Sequence, residues 1–320
     1  MQHASEGRRG SAKRRRRRVV WLSLAGIGVI VAATTANLLR DPLPRMLERR
    51  SALASAVEGE SVVDGGHVFT PVRITATSGL ALDLMVRRAI ADSAERLPLA
   101  VILGGHYTGR KAAQLLGDTP GVVVATLSYP YTGDLRPNAF TFLRDIPKIR
   151  AAFLDTPPAV MLAMDYLSKR PDIDPDRIEA IGVSLGVPFI SIAGALDNRF
   201  SRVWALHGSG GSYAPLEANM KRTIGFAPLR AVAAGIATVI INGPRLDPVR
   251  WVPQIAPRPF IMVNASGDER LPREAVDALY NSARDPKELV WMDGRHIHSD
   301  KETILKLVAI VMSRVRSSAD

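Results

Sequence analysis

The sequence predicts an α/β layered domain: a mostly parallel central sheet with helices on both faces, preceded by an N-terminal membrane-spanning helix. Three observations carry this expectation. From His67 onward, short apolar runs alternate with segments of helical spacing, the pattern of strands joined by crossover helices. Gly-, Ser- and His-rich clusters follow those apolar runs, and in open parallel sheets functional groups gather at the carboxyl ends of strands. A charge-free run, Val19 to Leu39, stands directly behind a basic tail.

The basic tail occupies residues 1–18. It holds eight Lys/Arg against the single acid Glu6, so it supplies +7 of the formal +11 and leaves the folded body only weakly basic. A polyarginine block can bind nucleic acid, but its place immediately before an apolar span argues for a topogenic role and against a nucleic-acid partner. Residues 19–39 meet the length of roughly 20 mostly apolar residues that a spanning helix needs. The arginines ahead of the span orient the tail to the cytoplasm. The reading is a signal anchor, single-pass, with the body on the exported side. The alternative is a secreted or periplasmic body after signal cleavage near Ala33 to Ala36, but the run is longer than the usual h-region of about 7–15 residues. Export without cysteine is allowed: the chain has none, which excludes disulfides, thiol nucleophiles and cysteine–zinc sites, and a large body can bury an adequate core without them.

Residues 40–66 read as a linker, broken by Pro42, Pro44, Gly59 and Gly65-Gly66, with a short helix possible from Met46 to Val57. His67 to Thr77 and Leu80 to Ile90 form a predicted hairpin across Ser78-Gly79. Further strands are expected at Leu99–Leu103, Val122–Leu127, Ile178–Val183, Arg202–Leu206, Phe260–Asn264 and Glu288–Met292. Helical spacing marks Ala159 to Lys169, which stops before Pro171, and Glu302 to Val315. The layered α/β body is expected to span 67–320, with an inserted cap over 209–256, because that stretch is long for one crossover. Its apolar run Leu229–Ile241 is too short to span a bilayer. It reads as an acyl-pocket wall or membrane contact, or else as a buried crossover helix.

The chemistry concentrates at Gly182-Val183-Ser184-Leu185-Gly186, entered by the apolar strand residues Ile178, Ala180, Ile181 and Val183. Gly-x-Ser-x-Gly between a strand and a helix is a nucleophile elbow. A serine hydroxyl needs a base, a group that orients the base, and donors for the oxyanion. In this elbow type the chain order is Ser, acid, His. Asp268 follows the Phe260–Asn264 strand and is the expected acid; adjacent Glu269 is expected to point elsewhere, and Asp247 before Pro248 reads as a turn residue. His296 follows the last strand and is the expected base, with His298 the fallback and a helix-cap or supporting role its simpler reading. His67 reads as a surface residue. His106 and His207 end strands near the elbow but precede the acid. The oxyanion donors are expected to be the backbone N–H of Leu185 and, from the Gly104–Gly109 loop, that of His106.

These residues resemble the α/β-hydrolase superfamily, in its dienelactone-hydrolase and esterase-like branch. Asp174-Pro175-Asp176-Arg177-Ile178 leading into the elbow, Ala256-Pro257-Arg258-Pro259-Phe260 followed by Ser266-Gly267-Asp268, and Gly294-Arg295-His296 carry the likeness, from about His67 to the C-terminus. The resemblance implies Ser184 as nucleophile, Asp268 as acid and His296 as base. Two departures stand out: the oxyanion loop reads Gly-Gly-His and not His-Gly-Gly, and there is no cysteine nucleophile.

The leading expectation is therefore a membrane-tethered serine esterase acting on a small-molecule ester, without cofactor or metal; His296 and His298 have no evident third ligand for zinc. A peptidase or amidase on the same triad, and a catalytically silent binding protein on the same fold, are the alternatives.

Overall fold

The computed structural model describes residues 21, 23–92, 96–105, 108–134, 136, 138–297 and 301–317. The chain divides into two compact units between Arg40 and Asp41. The first contains helix α1 (Ser23–Leu38), whose Leu24, Ile27, Ile30 and Val31 are all exposed. Among the described residues no single helix is long and apolar enough to cross a membrane. The basic tail and residues 19, 20 and 22 of the expected span lie outside the described residues.

The second unit, from Asp41, is built on a ten-stranded sheet in the order β1-β3-β4-β6-β5-β7-β8-β9-β10, with β2 also on β3. The strands are β1 (Leu53–Glu58), β2 (Val62–Asp64), β3 (His67–Ala76), β4 (Ala81–Ala89), β5 (Leu97–Leu103), β6 (Val123–Leu127), β7 (Ile173–Val183), β8 (Arg202–Leu206), β9 (Phe260–Ala265) and β10 (Lys287–Met292). From β6 to β10 every neighbouring pair is parallel; β1 to β4, and β4 against β6, are antiparallel. The mostly parallel sheet and its leading hairpin thus match the expectation.

Side chains alternate across the strands and divide the core into two layers. Leu99, Val101 and Leu103 of β5, with Val203 and Ala205 of β8, face a cluster that includes Met161 and Phe189. Those two belong to α3 (Ala139–Leu167) and α4 (Gly186–Leu196). Ala100 and Ile102, with Trp204 and Leu206, face the opposite cluster, with Leu307, Val311 and Met312 of α10 (Lys301–Ser317). A strand covered on both faces has to be apolar throughout, and every residue of β5 is buried. Fully burying one side chain such as Phe189 contributes about 1.5–3 kcal/mol.

Residues 40–66 are not a linker: they form α2 (Leu43–Arg50), β1 and β2. Met46 is fully buried, and Arg45 Nη2 and Arg49 Nε bind the Asp155 carboxylate of α3 at 3.1 and 3.2 Å. β1 and β2 complete the outer edge of β3; main-chain pairing and one buried anchor override the breakers that made the stretch read as loose. The helix expected from Ala159 begins much earlier, at Ala139, despite Pro147, Pro157 and Pro158 inside it. Each proline removes one hydrogen bond; the Asn138 side chain caps the start by accepting from Thr141 N at 2.9 Å, and burial of Ala159 to Met164 holds the second half.

Between β8 and β9 the chain forms α5 (Tyr213–Met220), α6 (Ala227–Ile240), α7 (Gly243–Leu246) and α8 (Pro248–Trp251). The run Leu229–Ile241 is mostly α6, and it is not a buried crossover helix. Ala234 and Thr238 face inward while Leu229, Val232 and Ile236 are exposed.

Candidate active site

Ser184 lies one residue beyond β7, at φ +52°. That left-handed conformation is uncommon for a residue with a side chain and costs of order 1–3 kcal/mol, which the surroundings must offset. Ser184 N donates to Leu206 O at 2.8 Å, and Val187 N donates to Ser184 O at 3.1 Å. The turn is tight enough to demand its two glycines. A Cβ on Gly182 would stand 2.8 Å from Val187 Cα, and one on Gly186 would stand 1.9 Å from the Leu103 carbonyl oxygen of β5. The motif therefore follows from backbone approach as well as from the serine.

The structure brings Ser184, His296 and Asp268 together. Ser184 Oγ is 2.8 Å from His296 Nε2, and His296 Nδ1 is 2.7 Å from Asp268 Oδ2. The three residues are supplied by the loops after β7, β10 and β9, all at the carboxyl edge of the parallel strands. His296 is buried at 3% exposure. The other carboxylate oxygen, Asp268 Oδ1, accepts from Arg270 N at 2.9 Å and Leu271 N at 3.0 Å. Burial pushes the Asp268 carboxyl up, but hydrogen bonds from His207, His296 and the Arg270 backbone outweigh it and hold the group well below the usual carboxylate range.

Two further groups belong to this cluster. Glu269, expected to point elsewhere, turns away from the imidazole but accepts the His296 backbone N–H at 3.1 Å, with Arg295 Nε 3.5 Å from the same oxygen. Partial burial pushes its carboxyl up, yet the N–H groups of Glu269 and His296 and the Arg295 charge bring it down to about 2. His207, at the end of β8, is fully buried, and its Nδ1 lies 3.3 Å from Asp268 Oδ2. Sequence order had set it aside because it precedes the acid; its place at a strand's carboxyl end was the signal that pointed to it. His207, Asp268 and His296 have potential ligand atoms within 4.8 Å of one another. Both Nδ1 atoms are directed at one carboxylate oxygen, which is a hydrogen-bonding arrangement, and we assign no metal ligands here.

Of the expected oxyanion donors, Leu185 is the residue immediately before α4, where backbone N–H groups have no partner inside the helix. His106 and the fallback base His298 lie outside the described residues. The loop is pinned on both sides of His106: Tyr129 Oη donates to Gly104 O at 2.7 Å, and Thr108 Oγ1 donates to Gly105 O at 2.8 Å. Burial pushes the Tyr129 phenol up, which keeps it a donor. His67 is not a surface residue; it is buried, with Arg87 Nη2 at 2.8 Å from its Nε2. Asp247 accepts Val249 N at 3.1 Å and caps α8, as a turn residue should.

Helix α5 of the insertion reaches this edge. Asn219 Nδ2 of α5 donates to the carbonyl of Arg270, two residues past Asp268, at 3.4 Å. The exposed Phe226, Leu229, Val232 and Ile236 lie on the same insertion. An apolar pocket lined by Ile102, Ile181, Ile297 and residues of α10 lies beneath α10 behind the histidine loop; its described lining residues are all apolar.

No family model and no curated protein matches the sequence. Solved structures do. Acetyl xylan esterase 1 from Thermoanaerobacterium sp. superposes with a TM-score of 0.59 at 16% identity, over 88% of this chain and 93% of its own. An acetyl xylan esterase from Paenibacillus sp. gives 0.58 at 16% identity, over 83% and 91%. An alpha/beta hydrolase from Penicillium sp. gives 0.53 at 16% identity, over 81% and 98%.

Proposed function

We propose that this chain, which has the α/β-hydrolase fold, is a serine hydrolase that cleaves carboxylic esters. The observation that carries the reading is the continuous hydrogen-bonded line from Ser184 Oγ through His296 to Asp268. Ser184 Oγ attacks the ester carbonyl while His296 Nε2 takes its proton. Asp268 holds the imidazole by Nδ1–H and stabilises the imidazolium. The oxyanion is met by the Leu185 N–H and by a donor from the Gly104–Gly109 loop, for which His106 N–H is the proposal. As the tetrahedral intermediate collapses, the carbonyl re-forms, the ester C–O bond breaks and His296 protonates the leaving alcohol. Water, deprotonated by His296, then attacks the acyl-serine and releases the acid, returning the proton to Ser184.

The fold shared with two acetyl xylan esterases supports ester substrates. The exposed apolar residues of α6, on the insertion whose α5 reaches Arg270, support an ester with an apolar portion. The test is hydrolysis of p-nitrophenyl esters of rising chain length by the full chain in detergent. Turnover should fall by at least about 10³-fold in Ser184→Ala, leaving only what binding and the oxyanion donors provide. Undiminished turnover in that variant removes Ser184 from the mechanism.

We also propose that residues 19–39 are an uncleaved membrane anchor, with the N-terminus cytoplasmic and the hydrolase unit on the exported side. The charge-free run behind eight cations supports it, as does the exposure of apolar side chains on α1.

A further inference from the structure

Among the described residues, His207 is the one titratable side chain in contact with Asp268 that the proposed reaction leaves without a task. Its placement is over-determined. His207 N donates to Val263 O at 2.8 Å, its backbone sits at φ +49°, and its ring meets that of His296 edge to face, with centroids 5.2 Å apart. The ring is completely buried. Asn264 Nδ2 donates to Gly208 O at 2.9 Å and ties the following residue to β9. A left-handed, fully buried histidine is an expensive way to fill space.

The tautomer follows from its neighbours. Nδ1 faces Asp268 Oδ2 at 3.3 Å and the Ile297 N–H at 3.4 Å. It cannot donate to one and accept from the other at once. A bare nitrogen lone pair against a carboxylate is repulsive, whereas Nδ1–H against it is a charge-assisted hydrogen bond. The proton therefore belongs on Nδ1, and Asp268 Oδ2 accepts from two imidazoles, at 2.7 Å from His296 and 3.3 Å from His207.

We propose that His207 is a positioning residue for His296: by sharing Asp268 Oδ2 it fixes the acid and limits how much of the carboxylate's charge His296 receives. The inference rests on the serine-esterase reading above. Its physical content is competition for one acceptor. With both donors present, each bond to Oδ2 is weaker than it would be alone. Without His207 the whole oxygen serves His296, the imidazolium is favoured in the resting enzyme, and the base is protonated at higher pH. The other described charged groups around His296 stay constant in this comparison: Glu269 on its backbone N–H, Arg295 against Glu269, and Arg270 beyond Asp268.

The experiment compares His207→Leu with His207→Asn in the full chain. Leu removes the donor. Asn places an amide N–H two bonds from Cβ, where Nδ1 was, and tolerates the left-handed backbone. The acid limb of kcat/KM should move up by on the order of half a pH unit in His207→Leu and return toward wild type in His207→Asn. A purely structural histidine would lower Tm or kcat in both without moving the limb. A folded, active His207→Leu protein with an unmoved limb overturns the proposal. Nitrogen-15 NMR of histidine-labelled wild type decides it even where the variants fold poorly: Nδ1 protonated and Nε2 bare is the expected state of His207, and the reverse overturns it. These spectra need no turnover, so an inactive wild type would remove the esterase reading while the His207 proposal is judged separately.

Discussion

The proposed reaction depends on how the residues around Ser184 and His296 are held, and the least obvious of the groups that hold them is Glu269. The carboxylate does not touch the imidazole; it accepts the backbone N–H of His296 and so fixes the loop that carries the base. Replacing Glu269 with Ala should reduce kcat by about tenfold, the equivalent of one partly exposed, charge-assisted hydrogen bond, with KM little changed, as steady-state kinetics would read. The same contact has a pH signature. The folded carboxyl is lowered from 4.5 to about 2, so its contribution to stability is full above pH 4.5 and is lost as pH falls toward 2. Thermal melts between pH 6 and pH 2.5 should therefore decline more steeply in wild type than in Glu269→Ala. At this scale much was legible in sequence. Strand-end position and chain order pointed to Ser184, Asp268 and His296, which the structure places in hydrogen-bonding contact. Glu269 and His207 were not assigned their contacts, because a backbone acceptor and a second donor to one oxygen leave no spacing pattern.

At the scale of elements, the elbow is a fit between two strands and a helix. β7 delivers Ser184, and α4 starts at Gly186 so close to β5 that only hydrogen fits against Leu103 O. Gly186→Ala should cost about 3 kcal/mol or more, seen as a large loss of Tm or of soluble protein, because the clash is with backbone that cannot rotate away. The apolar strands that position this elbow were readable as short runs bounded by polar clusters. The part of α3 before Ala159 was not, since Pro147, Pro157 and Pro158 argue against a helix locally; the Asn138 cap starts it, and apolar burial among its described residues begins only at Ala152 and Leu154. Nor were β1 and β2, whose exposed residues carry no buried-strand pattern and whose order comes from pairing with β3.

For the whole molecule, the boundary falls at Arg40/Asp41, and not in a flexible stretch up to residue 66. α2 is sewn onto α3 by Met46 and the arginines on Asp155, so the sheet-bearing unit begins within a few residues of the proposed anchor. An uncleaved anchor predicts that the intact-mass chain stays with membranes through an alkaline carbonate wash. Release of a shortened chain starting near Asn37 would favour signal cleavage. The parallel sheet with its chemistry at one edge follows from alternation of strands and helices, which is why the architecture was readable from so few runs.

The most direct test of the central claim is labelling of the full-length folded protein with a fluorophosphonate, followed by peptide mass analysis. One stoichiometric adduct is expected, on Ser184, formed far more slowly in His296→Ala. An unmodified Ser184 in a protein that still hydrolyses esters would contradict it.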